Sequence, residues 1–105
     1  MRLLRVTGLP AGALAAAAEF YAAMVPPRTG EDLLVVFPPA DHTHRVWRQA
    51  VIEQLARDFA PCRVNAVASD SAAAIAAAQA YLAQAPGLTG QVLVLDDAGA
   101  GPVVG

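Results

Sequence analysis

Two short apolar runs constrain this chain more than anything else in it. Asp32-Leu33-Leu34-Val35-Val36-Phe37 ends against Pro38-Pro39, and Arg63-Val64-Asn65-Ala66-Val67-Ala68-Ser69 begins just after Pro61. Both are too apolar to lie with one face in water. Such runs, rich in β-branched residues, read as parallel strands covered on both faces. A parallel pair needs a crossover of a dozen or more residues. Between the two runs lies a helical segment from about Thr43 to Phe59, with Trp47, Val51, Leu55 and Phe59 on one i,i+4 stripe widened by Val46, Ala50, Ile52 and Ala56. Arg48, Gln49, Glu53, Arg57 and Asp58 read as its solvated side.

The flanking segments repeat the alternation. Leu3 to Thr7 reads as a first strand, and Gly8 to Gly12 as a turn. Ala13 to Val25 reads as a helix that is apolar nearly all round, with Glu19 its only charge, so burial on more than one side is expected. Pro26-Pro27 stops it. Asp70 or Ser71 can cap a third helix, Ala72 to Ala85, before Pro86-Gly87 breaks it. Gln91 to Leu95 reads as the last strand, and the glycine-rich tail Asp96 to Gly105 as irregular. The order βαβαβαβ predicts a small three-layer Rossmann-like α/β fold of about four parallel strands and three helices. With 105 residues, no internal repeat and no low-complexity linker, residues 1–105 read as one domain.

Composition narrows the function classes. Net charge is −2 and no basic cluster exists, so the electrostatic footprint of a nucleic-acid binder is absent. Hydrophobic residues make up 56% and charged residues 15%, an apolar balance for a small domain with much surface. Either alanine-rich coding supplies good helix formers, or helix faces are buried against other chains. Cys62 is the only cysteine, which leaves no internal disulfide and fits a reducing cytoplasm. Met1-Arg2-Leu3-Leu4-Arg5 imitates the start of a secretory signal, but Gly8, Pro10 and Gly12 interrupt the apolar region behind it. No apolar run is long enough to span a bilayer.

Four local features invite a chemical reading, and each has an ordinary one. Asp41-His42-Thr43-His44 resembles a zinc-ligating cluster, yet adjacent residues at a helix start fan outward, and a polar cap with exposed histidines is the simpler reading. Cys62 sits at a helix-to-strand junction and reads as a packed thiol rather than a nucleophile. Ser69 reads as a cap. Trp47 reads as a core or interface anchor.

The second half resembles the short-chain dehydrogenase/reductase family. Leu55-Ala56-Arg57-Asp58-Phe59-Ala60-Pro61 followed by Arg63 to Ala68 is similar to that family's late helix running into its sixth strand. Ala80-Tyr81-Leu82-Ala83 and Leu88-Thr89-Gly90-Gln91-Val92-Leu93-Val94-Leu95-Asp96 are similar to its last helix and seventh strand. The likeness covers roughly residues 45–97. It implies strand order 1-2-3-4, with the last helix on the opposite sheet face from the helix before it. Two registers fit the N-terminal part. Val6-Thr7-Gly8-Leu9-Pro10-Ala11-Gly12 is similar to the family's nucleotide loop, although Leu14 stands where the third glycine would fall. Alternatively, Ala13 to Phe37 resembles the helix and strand before the sixth strand, with Met24-Val25-Pro26 in the connection; this register keeps the family order and is preferred here.

Carried onto this chain, the family's catalytic lysine falls on Arg45, its tyrosine on Asp41 and its serine on Pro38-Pro39. A guanidinium fork is no substitute for the lysine point charge, an aspartate is not a proton donor near neutral pH, and proline has no hydroxyl. All 7 basic residues are arginine, so neither Tyr21 nor Tyr81 can have a lysine partner. At most two loop glycines exist, Gly8 and Gly12, and Ser69-Asp70-Ser71 runs into a helix where the family carries a substrate loop. The resemblance therefore implies a truncated dehydrogenase-like fold with no catalytic, cofactor-binding or metal residues. The expected role is a non-catalytic module. It would act as a homodimer through helices 13–25 and 43–59, or as the inactive partner subunit of a full-length dehydrogenase, without nucleic acid or membrane. The alternative is an NAD(P)-dependent oxidoreductase whose atypical site is completed across subunits.

Overall fold

A computed structural model describes residues 1–95 and 102–104 of the chain. Four parallel strands lie in one sheet in chain order: β1 (Arg2–Arg5), β2 (Leu33–Phe37), β3 (Val64–Ala68) and β4 (Val92–Leu95). Three helices cross between them: α1 (Ala13–Ala23), α2 (Arg45–Asp58) and α3 (Ala72–Ala83). A single 3-10 turn, His42–His44, leads into α2. The tail differs from expectation in one place. Pro102–Val104 forms β5, antiparallel to β4, and so occupies the outer edge of the sheet, whose backbone groups need partners. The rest of the expected irregular tail lies outside the described residues.

The two runs that constrain the sequence are the middle of the sheet. Every residue of β2 and β3 is buried. Strand periodicity sends Leu33, Val35 and Phe37, with Val64, Ala66 and Ala68, to one face, where Phe20 of α1 and Val51, Ile52 and Leu55 of α2 cover them. Leu34, Val36 and Val67 go to the other face, against Ile75, Ala78 and Leu82 of α3. The one polar residue in these strands, Asn65, is satisfied in place. Its amide donates to the Leu88 carbonyl (3.0 Å) and its oxygen accepts from the Gln91 N–H (3.1 Å), which fixes the turn into β4.

With α1 and α2 on one face and α3 on the other, and each strand laid down beside the last in the same direction, the third crossover has the opposite hand to the first two. The crossovers therefore cannot all follow the right-handed rule, and α3 lies on the opposite face from α2, as the family resemblance implied.

The N-terminal edge of the sheet is bolted by arginines. Arg63 Nε pairs with Asp32 Oδ2 at 3.1 Å, and its Nη1 donates to the carbonyls of Leu82 (3.0 Å) and Ala85 (2.8 Å) at the end of α3. Arg28 donates to the carbonyls of Asp58 (3.2 Å) and Ala60 (2.7 Å) behind α2. Both side chains thus add charged donors to carbonyls at helix ends, those of Leu82 and Ala85 also accepting from the Ala85 and Leu88 N–H groups.

Helix α1 departs from the sequence reading. It buries only Ala16 and Phe20, and Leu14 is 86% exposed. Burial on more than one side does not occur within the chain; its outer face is open. Both α1 and α3 end two residues earlier than their apolar patterns suggest, before Pro26-Pro27 and Pro86, since a residue ahead of proline is pushed out of the helical region.

Candidate site at the C-terminal edge of the sheet

Strand β2 ends at Phe37, and Pro38-Pro39 turns the chain over the sheet edge toward α2. Asp41 ends this turn. Its carboxylate accepts from the Thr43 N–H at 2.9 Å and from the Thr43 hydroxyl, and so caps the 3-10 turn. These two hydrogen bonds, the hydroxyl's first, hold its pKa below the ordinary carboxylate value.

The stretch Asp41-His42-Thr43-His44 does not behave as two exposed histidines. His42 is exposed, but His44 is buried. The Trp47 indole N–H donates to His44 Nδ1 at 3.0 Å, which leaves the His44 proton on Nε2, facing the Ala11 carbonyl at 2.9 Å. The imidazole thus ties the β1–α1 loop to α2. No group of three or more potential metal ligands occurs among the described residues. Trp47 itself belongs to the core: its ring lies 5.8 Å from that of Phe20 and 5.5 Å from that of Phe37, in tilted and edge-on contacts.

Arg48 is the residue that sequence reasoning placed wrongly. Grouped with the solvated side of α2, it is only 6% exposed. The helix turns it inward over the end of β2. Its guanidinium lies 4.6 Å from the centre of the Phe37 ring and 5.8 Å from that of Trp47, and its Nη1 donates to the Pro38 carbonyl at 2.9 Å. The buried Nε has no hydrogen-bond partner. Among the described residues the only ion pair is Arg63–Asp32, so Arg48 has no carboxylate there. Burial lowers its pKa, yet arginine keeps its charge in proteins. Gln49 also turns partly inward, donating to the Gly90 carbonyl at 2.9 Å.

Two concavities meet at Arg48. One, of about 180 Å³, has a polar rim of Asp41, His42 and Arg45 and an apolar wall of Ala68, Val92 and Val94. The other, of about 310 Å³, lies on the side of the β1–α1 loop, between Gly8 to Ala11 and Pro38 to Asp41. Of Pro38-Pro39, Asp41 and Arg45, onto which the resemblance carries the family's serine, tyrosine and lysine, the structure gathers Pro39, Asp41 and Arg45 around one cavity. Tyr21 and Tyr81 are not; both are half exposed on helix surfaces.

Ser69 and Cys62 fill ordinary roles. Ser69 Oγ accepts from the Ser71 N–H (3.0 Å), and Ser71 Oγ accepts from the Ala74 N–H (3.2 Å), capping α3. Cys62 is partly buried against the core.

A nicotinamide dinucleotide does not fit these residues. The end of β2 carries Pro38 and no acidic side chain for a ribose, and the Pro38 carbonyl is taken by Arg48. Leu14 occupies the place of a third loop glycine and points to solvent. No helix among the described residues is long and apolar enough to cross a membrane.

A family model described as short chain dehydrogenase-like protein matches residues 4–95. No curated protein and no solved structure matches the chain.

Proposed function

The chain belongs to the short chain dehydrogenase-like family, and from that premise we propose that it is a non-catalytic module of the family that works by associating with a second copy of itself. One observation carries the non-catalytic reading: the side chain at the proton-donor position is Asp41, an ionised acceptor tied to Thr43. A donor must hold its proton near the working pH. The Asp41 carboxylate, held below the ordinary acid range, releases its proton well below neutrality. Arg45, at the lysine position, is exposed and has no tyrosine to activate.

Association rests on the outer faces of α1 and α2. Leu14 is 86% and Val46 79% exposed, and the two lie within one turn of the His44–Ala11 contact that joins their elements. Two large apolar side chains exposed on neighbouring helices favour an interface, and a self-complementary patch gives a symmetric dimer. Association with a full-length dehydrogenase through the same face is the heteromeric form of this reading, and co-purification of such a subunit would reveal it.

Sedimentation at micromolar concentration tests the proposal. The wild-type chain is expected at twice its 10.8 kDa mass, and Leu14→Glu with Val46→Glu at the monomer mass, still folded. Surface substitutions of this kind usually change stability by less than about 0.5 kcal/mol. A monomeric wild type sinks the association. Trp47→Asp is the wrong probe, because it opens the core instead of the outer face. Titration with NADH and NADPH tests the rest: saturable binding that raises Tm would favour the oxidoreductase alternative.

A further inference from the structure

A buried cation needs a counter-charge. Arg48 has its side chain at the junction of two cavities, one nitrogen orphaned, one nitrogen on the Pro38 carbonyl, and no carboxylate among the described residues. Stacking on Phe37 and Trp47 offsets part of the desolvation. It does not neutralise the charge. A structural arginine is normally finished by its own protein, as Arg63 is with Asp32 and two carbonyls.

We propose that the cavity between the end of β2, α2 and β4 binds a small organic monocarboxylate, with Arg48 as its counter-cation. The cavity chemistry selects the class. One wall, formed by Ala68, Val92 and Val94, offers no polar side chain and suits an apolar body. The rim offers Arg48 and Arg45 to a charged head. Asp41 at the same rim offsets part of the positive potential of the two arginines, so charge alone binds an anion weakly and a bare phosphate, with no apolar body for the wall, lacks the second contribution. A volume of about 180 Å³ exceeds the ~150 Å³ that holds a benzene ring, which sets the ligand near the size of benzoate or a short-chain fatty acid. A carboxylate can meet a guanidinium with two parallel hydrogen bonds, so the arginine fork also favours this head group. The site does not depend on dimerisation. It therefore stands or falls separately from the proposed association.

Trp47 is the only tryptophan and lies beside Arg48, so its fluorescence reports on the site. The test is titration of the full chain with butyrate and, separately, benzoate, followed by Trp47 fluorescence and by Tm, with inorganic phosphate at equal ionic strength as the control. The expected result is a saturable change with each carboxylate at millimolar concentration or below, a rise in Tm over the same range, and a response to phosphate at least tenfold weaker. Val94→Phe narrows the cavity without removing any charge or adding a second tryptophan, on a residue already 38% exposed. It should keep the circular dichroism spectrum and lose carboxylate binding at least tenfold, as should Arg48→Met by removing the counter-cation. The proposal is overturned if neither carboxylate gives a saturable change in the wild type. It is also overturned if phosphate binds as tightly, or if folded Val94→Phe binds as the wild type does.

Discussion

Arg63 and Arg48 sit at opposite ends of the same sheet and meet burial in opposite ways. At the N-terminal edge, Arg63 is matched group by group. Asp32 accepts from both its backbone N–H (2.8 Å) and its Nε (3.1 Å), and two carbonyls of the α3 terminus accept from Nη1. At the C-terminal edge, Arg48 is more deeply covered and has a single carbonyl partner among the described residues. A matched buried charge holds elements together; an unmatched one spends stability on something other than the fold. This difference separates the scaffold end of the molecule from its candidate site. In open α/β sheets ligands bind outside the carboxyl ends of the strands, which is the end where Arg48 lies.

The contrast can be broken most sharply at Arg63. Arg63→Met removes the guanidinium from Asp32 Oδ2 and from the Leu82 and Ala85 carbonyls, all of which sit beside backbone N–H contacts that remain. It is expected to lower unfolding free energy by about 2–3 kcal/mol, read as a fall in the urea midpoint. A change within error would mean that the network is ornamental.

Acid titration sharpens the same point. The hydrogen bond from the Arg63 backbone N–H, foremost among several contacts with Arg63, holds the Asp32 pKa below its ordinary 3.8. The stability this contributes is fully present above the ordinary value and is lost as pH falls through the lowered one. Asp32→Asn should therefore be less stable than the wild type near neutrality, with a shallower loss of stability below about pH 4. Parallel acid curves would remove Asp32 from the account.

Ser71→Ala is a control at the C-terminal edge, where a group is matched: losing the cap of α3 should cost about 1 kcal/mol by denaturation.

Arg48→Met closes the series with the smallest effect. In buffer free of organic acids it should change stability by less than about 1 kcal/mol, or raise it. Exchanging an unpaired buried cation for an apolar chain relieves a desolvation cost that offsets the lost Pro38 contact. A loss as large as that of Arg63→Met would place the two arginines in one class and end the comparison.

Much of the fold was legible because the signals were local. Val64 to Ala68 is a strand with the bounds its composition suggests, and Ser71 caps α3 as its position before an alanine run implies. The stripe Val51, Leu55 and Phe59 packs on the sheet. The candidate site was less legible. Arg48 reads as solvated because it stands among polar neighbours on a helix. Only the height of the β2 end and the position of Phe37 bring its turn inward. One signal was available: Arg48 follows Trp47 directly and precedes Val51 by three positions, so it borders the apolar stripe. His44 is a similar case, since its burial depends on the Ala11 carbonyl arriving from another loop.

The sequence by itself determined the layering. Two continuous apolar strands had to be covered on both faces, and proline pairs set where elements stop. Those consequences follow from periodicity and side-chain chemistry, which act over a few residues. Tertiary structure decided which charges are matched. Whether an arginine meets a carboxylate, two carbonyls or an empty cavity depends on which loops converge at each end of the sheet, and that convergence is set by residues dozens of positions apart. The same side chain is a bolt at position 63 and, among the described residues, a charge without a carboxylate at position 48.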